Sequence, residues 1–184
     1  MLTRVVFNQK GGVGKSSIAV NLAAISAYQG FKTLLIDLDP QANSSQYLLG
    51  EEAIYAADRP ALQPNIENYF EEVLSSNQSK GLLGNALGSL LKTRSKGLDS
   101  YVHQSPFPNL SVIPASPTLG TLAHALEAKH KIYKLRDALQ QMSAQYERIY
   151  IDTPPAFNVF TLSALIAADR VLIPFDCDVF SKRA

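Results

Sequence analysis

Short apolar runs alternate along this chain with longer segments in which apolar positions recur every three or four residues. The apolar runs predict buried strands at 4–8, 33–36, 110–113, 148–151 and 170–173. The longer segments predict helices over 16–29, 66–74, 119–128, 132–145 and 160–168. Because strands and helices alternate, the chain is predicted to form an α/β fold in which a mostly parallel sheet is flanked by helices in three layers.

The spacing of the apolar residues also predicts which helix faces pack on the sheet. In the first helix, Ile18, Leu22 and Ile25 are predicted to face inward, and Gly30 ends the helix. In the later helices, the residues at core spacing are Leu119, Leu122, Leu126, Leu135, Leu139 and Met142. The first strand, first helix and second strand form a βαβ unit. Its first loop is therefore expected at the carboxyl edge of the sheet, where α/β proteins bind ligands.

Residues 75–98 interrupt this pattern. They are rich in glycine and serine and carry four basic residues but no acidic one. This composition predicts a flexible insertion with at most one short helix, over 87–91. The whole chain, 1–184, is predicted to be a single domain that contains this insertion.

Composition narrows the class of protein. With 184 residues, of which 46% are hydrophobic, the chain can bury the core of a globular domain, and its net charge of +1 does not by itself indicate nucleic acid. Cys177 is the single cysteine, which excludes an internal disulfide and fits a reducing cytoplasm. Neither a signal peptide nor a membrane-spanning apolar run is found, so we expect a cytoplasmic protein without integral membrane association.

A glycine-rich loop follows the first predicted strand, with the sequence Q-K-G-G-V-G-K-S over 9–16. Its glycines allow backbone N–H groups to approach phosphate oxygens closely, Lys15 adds a mobile cation, and the Ser16 hydroxyl can ligate Mg²⁺. We therefore predict a nucleoside triphosphate site. Its cofactor-binding residues are Gly11, Gly12, Val13, Gly14, Lys15, Ser16 and Ser17.

Carboxylates follow two other predicted strands. Asp152 closes the strand at 148–151 and precedes Thr153-Pro154-Pro155, as expected of a residue that holds Mg²⁺ directly or through water. Asp37 and Asp39 follow the second strand in D-L-D-P-Q-A-N, over 37–43. The alternative for Asp152 is a turn or a helix cap, and the alternative for Asp37 and Asp39 is an Asx-type turn.

The loop resembles the deviant Walker A motif of the ParA/MinD family of dimerising ATPases. An ordinary motif has glycine where Gln9 stands, and Lys10 adds a second lysine. The segments at 37–43, 152–155 and 170–178 also resemble those of the family. The resemblance implies a P-loop NTPase fold in which Lys10 reaches the nucleotide of the partner, Asp39 orients the attacking water, and Asp37 supports the magnesium side. Alternatively, Lys10 is a surface lysine beside an ordinary loop.

Most similar are the ParA-type plasmid and chromosome partition ATPases. They imply ATP and Mg²⁺ as cofactors, a homodimer on ATP binding, nonspecific DNA as partner, and slow hydrolysis stimulated by a ParB-like protein. The location implied is the cytoplasm, on the nucleoid. Family members continue beyond the position where this chain stops, at Ala184, so the C-terminal elements are expected to be absent.

Three other functions stay open on the sequence. They are a MinD-like membrane-positioning ATPase, an assembly ATPase with a protein cargo, and a nucleotide-binding fragment that does not hydrolyse ATP. Two basic clusters could contact DNA phosphates, although a solvated surface is favoured for both. One lies within 80–96, and the other comprises Lys129, His130, Lys131, Lys134 and Arg136.

Overall fold

A computed structural model of the protein describes residues 1–51, 62–75 and 96–175. Its strands are β1 (Leu2–Val6), β2 (Thr33–Asp37), β3 (His103–Gln104), β4 (Leu110–Ile113), β5 (Arg148–Asp152) and β6 (Arg170–Leu172). Its α-helices are α1 (Lys15–Tyr28), α2 (Asn43–Leu49), α3 (Ile66–Ser75), α4 (Ala123–Ala128), α5 (Lys134–Gln141) and α6 (Val159–Ala167). Two 3-10 helices cover Leu98–Tyr101 and Leu119–Leu122.

Within the described residues the strands form one six-stranded sheet in the order β3-β4-β2-β5-β1-β6. Its pairs are parallel except for the short antiparallel pair of β3 with β4. The register between β2 and β5 sets Asp37 directly opposite Asp152. Two strand-end carboxylates that are far apart in the sequence therefore become neighbours at the carboxyl edge of the sheet.

Apolar clusters cover both faces of the sheet, which confirms the predicted three-layer α/β fold. Leu34 and Ile36 belong to a cluster with residues of α3, α4, α5 and α6. Leu35, between them, belongs to a second cluster with residues of α1 and α2. Successive strand residues point to opposite faces, so a sheet covered by helices on both sides needs strands that are apolar throughout.

The predicted inner face of α1 is wrong in one residue. The buried apolar residues of α1 are Ala19, Ala23 and Ala27, whereas Ile25 is 53% exposed. Ile18 and Leu22 are half-buried beside this alanine face. Small side chains let the helix backbone approach the sheet closely, and the larger residues then flank the contact. Helical periodicity identifies a stripe of apolar residues, but it does not reveal that the neighbouring alanine stripe packs more closely.

This alanine face gives a stability prediction. Replacing Ala23 with leucine is expected to lower the free energy of unfolding by about 1–3 kcal/mol, because extra methylenes must fit between α1 and the sheet. The control, Ile25→Ala, removes an exposed side chain and should change it by no more than about 0.5 kcal/mol. Urea unfolding of both variants measures the difference. If Ile25→Ala lost more unfolding free energy than Ala23→Leu, the face predicted from the sequence would be right.

Several predicted boundaries shift in the structure. The helix predicted over 119–128 is a 3-10 helix followed by α4, and the helix predicted over 132–145 is the shorter α5. Of the predicted core residues in these helices, Leu122 is only partly buried and the others are buried.

The predicted insertion is described only at its ends. Ser75 ends α3, and Leu98, 2% exposed, opens a 3-10 helix. Residues 76–95, with the predicted short helix, lie outside the described residues, so the insertion and the single-domain boundary stay predictions. Among the described helices, none is both long and apolar enough to span a bilayer.

Candidate functional site

The glycine-rich loop joins β1 to α1 at the carboxyl edge of the sheet. Gly12 and Gly14 have φ angles of 76° and 80°, a left-handed conformation that side chains rarely adopt. A Cβ atom built on Gly11, Gly12 or Gly14 would meet no other atom within 4 Å. The loop therefore presents bare backbone to open space at the N-terminus of a 14-residue helix, an arrangement suited to an anion.

Lys15 lies at the first position of α1 and is only 7% exposed. Its Nζ donates a hydrogen bond of 3.0 Å to the carbonyl oxygen of Lys10, across the loop. Burial lowers the pKa of Lys15, while the nearby carboxylates of Asp152 and Asp39 oppose this shift. The ammonium is thus held over the loop between a backbone carbonyl and two acidic groups.

Asn8 and Thr153 hold the base of the loop, although neither was predicted as a site residue. The Asn8 side chain accepts a 2.8 Å hydrogen bond from the Lys10 N–H and donates one of 2.8 Å to the Pro174 carbonyl. The Thr153 hydroxyl donates to the Val6 carbonyl at 2.8 Å. These bonds connect the loop to the ends of β1, β5 and β6. A single buried asparagine has no sequence pattern that would have identified it.

Asp37 is fully buried, and both of its carboxylate oxygens accept hydrogen bonds. Oδ1 accepts from the Asp39 N–H at 3.0 Å, and Oδ2 accepts from the N–H and hydroxyl of Ser45 at 2.9 and 2.7 Å. Burial, and then the charge of Asp152, raise the pKa of Asp37, while the bonds from Ser45 lower it. Because both oxygens are engaged, Asp37 fits a structural role beside the predicted metal side better than direct ligation.

Asp152 is also buried, but only one of its oxygens has a hydrogen bond from the described residues. Oδ2 accepts from the Ser44 hydroxyl at 2.7 Å, whereas Oδ1 is buried without a partner in that part of the chain. Burial raises the pKa of Asp152, and the nearby hydroxyls of Ser16 and Ser44 oppose that shift. A buried carboxylate oxygen without a donor is costly unless a cation approaches it.

The oxygen atoms of Asp152 and Ser16 are donors of the kind that Mg²⁺ prefers. Magnesium keeps several waters and takes one or two protein oxygens together with phosphate oxygens of its nucleotide. Asp152 Oδ1 and the hydroxyl of Ser16 would supply the protein side of such a shell. Among the described residues, no group of three or more His, Cys, Asp and Glu side chains could hold a metal ion alone, so the remaining ligands would come from phosphate and water.

A cavity of about 370 Å³ opens beside the loop. Its lining includes the predicted residues Gly11, Gly12, Gly14, Lys15, Ser16, Ser17 and Asp39. Asp39 Oδ1 accepts a 2.9 Å hydrogen bond from the Gln41 N–H, which is the Asx-type turn that the sequence offered as an alternative. The residue thus forms the turn and also lines the cavity, while its role toward the attacking water stays a prediction. Val13 is half-buried within the same loop.

Four further residues line the cavity without having been predicted as site residues. They are Gln41, Asn43, Tyr47 and Pro155. Three of them stand within segments whose motifs were recognised, whereas Tyr47 belongs to α2 and is 62% exposed. No spacing in the sequence could have predicted that this tyrosine reaches the loop.

Part of the second basic cluster is engaged within the fold. Lys131 is 6% exposed, the Lys129 ammonium donates to the Leu74 carbonyl at 3.1 Å, and Arg136 pairs with Asp137 at 2.8 Å. Lys129, His130 and Lys134 nevertheless lie at the surface, so the cluster is partly engaged within the fold and partly exposed. Most of the cluster within 80–96 lies outside the described residues.

Comparison with known proteins agrees with this geometry. A family model described as an AAA domain matches residues 2–184. The chromosome partitioning protein ParA of Myxococcus xanthus is 34% identical over 177 residues, which cover 96% of this chain and 52% of that protein. The chain spans only 52–61% of the length of the curated relatives that it matches.

Two solved structures share the fold. A plasmid partition protein from Borrelia burgdorferi superposes with a TM-score of 0.73 at 28% identity, over 99% of this chain and 69% of that one. Cobyrinic acid a,c-diamide synthase from Mycobacterium smegmatis, with a bound ATP analog and magnesium, superposes with a TM-score of 0.73 at 26% identity, over 97% of this chain and 62% of that one.

Proposed function

Since this chain belongs to the ParA/MinD family of P-loop ATPases, we propose that it binds ATP with Mg²⁺ and hydrolyses the nucleotide as a partitioning switch. The observation that carries the proposal is the cavity lined by bare glycine backbone, Lys15 and Asp39, with the buried Asp152 near Lys15 and Asp39. The glycine backbone and Lys15 suit an anion, Asp152 suits a divalent cation, and Asp39 suits a reacting water.

The triphosphate would lie on the glycine-rich loop. Backbone N–H groups and the N-terminus of α1 favour phosphate oxygens, and open space lies where the Cβ atoms of Gly11, Gly12 and Gly14 would be. The Lys15 ammonium, now bonded to the Lys10 carbonyl, would turn to the phosphates. Its charge then faces three negative groups, because Asp152 and Asp39 lie near it already.

Bound Mg²⁺ neutralises the charge that develops on the phosphate oxygens. For this role Asp152 would hold the ion directly or through its water shell, and Ser16 would contribute its hydroxyl. Asp39 would accept a hydrogen bond from the attacking water, since its carboxylate lines the cavity and the turn to Gln41 keeps it in place. Lys10 would reach the nucleotide of a second protomer, where a cation lowers the barrier to phosphoryl transfer.

The switch is proposed for the whole protein, since this chain spans little more than half the length of its relatives. We propose an ATP-dependent homodimer in the cytoplasm that binds nonspecific DNA of the nucleoid and is stimulated by a ParB-like partner. The partitioning relatives support this choice. A nucleotide shifts the equilibrium between monomer and dimer only through its different affinity for the two states, and ATP contacted by both protomers would supply that difference.

Light scattering tests the switch. The mass of the protein should double with ATP and Mg²⁺, and should stay that of one chain with ADP or without nucleotide. Lys10→Ala should bind ATP and stay monomeric, because the residue is proposed to act on the nucleotide of its partner. An unchanged mass in all three conditions, with ATP binding confirmed, would contradict the dimer switch for this chain.

A further inference from the structure

Two adjacent serines at the start of α2 connect that helix to the carboxyl edge of the sheet. Both Ser44 and Ser45 are fully buried. The Ser44 hydroxyl donates to Asp152 Oδ2 and the Ser45 hydroxyl donates to Asp37 Oδ2, each at 2.7 Å. Buried hydroxyls could have been satisfied by the backbone of their own helix, yet these two extend to carboxylates at the ends of two neighbouring strands.

Ser45 and Asp37 anchor the first turn of α2. Asp37 Oδ2 accepts both the N–H and the hydroxyl of Ser45, and the Ser45 oxygen accepts a 3.0 Å hydrogen bond from the Ala115 N–H beyond β4. Asp37 Oδ1 at the same time accepts from the Asp39 N–H at 3.0 Å. Asp37 thus fixes both ends of the segment that carries Asp39, and so fixes the place of Ser44.

The two oxygens of Asp152 differ in their hydrogen bonds, and the Ser44 hydroxyl donates to one of them. A carboxylate at the end of a strand can rotate, so either oxygen could be the one that accepts the bond from Ser44. With Oδ2 bonded to Ser44, Oδ1 stays without a donor from the described residues. A hydrogen bond to the second oxygen of a carboxylate orients the first for a metal ion, as outer-shell partners of metal ligands do.

We propose that Ser44 is a positioning residue for magnesium, because its hydroxyl holds Asp152 Oδ2 so that Oδ1 is presented to the ion. The same bond joins the metal side of the cavity to α2, which directly follows the segment with Asp39 and Gln41. This inference rests on the proposed function, since it requires that Mg²⁺ accompany ATP.

The test measures ATP affinity in Mg²⁺ and in EDTA by calorimetry. In Ser44→Ala, the gain in affinity that Mg²⁺ gives is expected to fall about tenfold, as for outer-shell partners elsewhere. Affinity in EDTA should stay within about twofold, because the glycine-rich loop and Lys15 are intact. If the Ser44 hydroxyl only stabilised the fold, its loss would change ATP affinity equally in Mg²⁺ and in EDTA.

Ser26→Ala is the matched control. Ser26 is also buried, and its hydroxyl shares a 2.8 Å hydrogen bond with the Tyr150 hydroxyl without lining the cavity. The Ser26→Ala variant should lose thermal stability, but Mg²⁺ should raise its ATP affinity as much as it does in the wild type. If Ser44→Ala behaves in the same way, the proposal is wrong.

Ser44→Cys gives a second comparison should Ser44→Ala not fold. Its thiol is somewhat larger than the hydroxyl and donates weakly, so a severalfold smaller magnesium gain supports the proposal and an unchanged gain contradicts it. The wild-type protein tests the proposed function separately from the role of Ser44. If the wild type binds no ATP, the proposed function is contradicted. ATP binding whose magnesium gain survives both substitutions contradicts only the role of Ser44.

Discussion

Replacing Lys15 with glutamine is expected to weaken ATP binding by about 100-fold or more. The ammonium would make charge-assisted hydrogen bonds to the phosphates, each of which contributes about 1.5–3 kcal/mol, and every 1.4 kcal/mol is about a factor of ten in affinity. Without it, the triphosphate would also meet Asp152 and Asp39 with less compensating charge, because these carboxylates lie near Lys15. Calorimetric titration with ATP and Mg²⁺ measures the loss.

Lys32→Gln is the matched control for this experiment. Lys32 is an exposed lysine just before β2, at the opposite edge of the sheet from the loop. Its replacement removes the same charge and should leave ATP affinity within about twofold, since an exposed charge at that distance is screened by salt. Equal affinities of Lys15→Gln and the wild type would show that the cavity is not the ATP site.

Replacing Asp39 with asparagine is expected to reduce kcat by about 100-fold or more, as removal of a general base or water-orienting group usually does. ATP affinity should stay within about threefold. Asparagine is preferred to alanine because its side-chain oxygen can still accept the hydrogen bond from the Gln41 N–H, which Asp39 Oδ1 now accepts at 2.9 Å. The turn is then kept while the carboxylate is lost. Single-turnover hydrolysis separates the chemical step from binding.

Asp99→Asn serves as the control for Asp39→Asn. Asp99 is exposed in the 3-10 helix at Leu98–Tyr101 and does not line the cavity beside the loop. It should hydrolyse ATP at the wild-type rate. A wild-type single-turnover rate in Asp39→Asn would contradict the role of that carboxylate, and the turn to Gln41 would then be its whole contribution.

The parts of the molecule that the sequence predicts well are those governed by local rules. Buried strands of a parallel sheet are short apolar runs, so the strands that carry the site were found within a few residues of their limits. Asp37 and Asp152 each end such a strand, and the parallel register then makes them neighbours. The glycine-rich loop was identified because its backbone conformation requires glycine at Gly12 and Gly14.

The parts that sequence analysis missed depend on contacts between distant residues. Ser44 meets Asp152 across 108 positions, and Asn8 meets Pro174 across 166. A single small polar residue forms no periodic pattern from which a distant partner could be predicted. The error at Ile25 has a related cause, because the close approach of α1 to the sheet depends on the alanines and not on the largest apolar side chains.

Titration of the wild-type protein with ATP, in Mg²⁺ and then in EDTA, tests the central claim most directly. We expect one ATP per chain and affinity at least about tenfold higher in Mg²⁺, because Asp152 Oδ1 and the Ser16 hydroxyl would ligate the cation beside the phosphates. Absence of ATP binding in both conditions would contradict the nucleotide site. Equal affinity in both would contradict the magnesium site at Asp152.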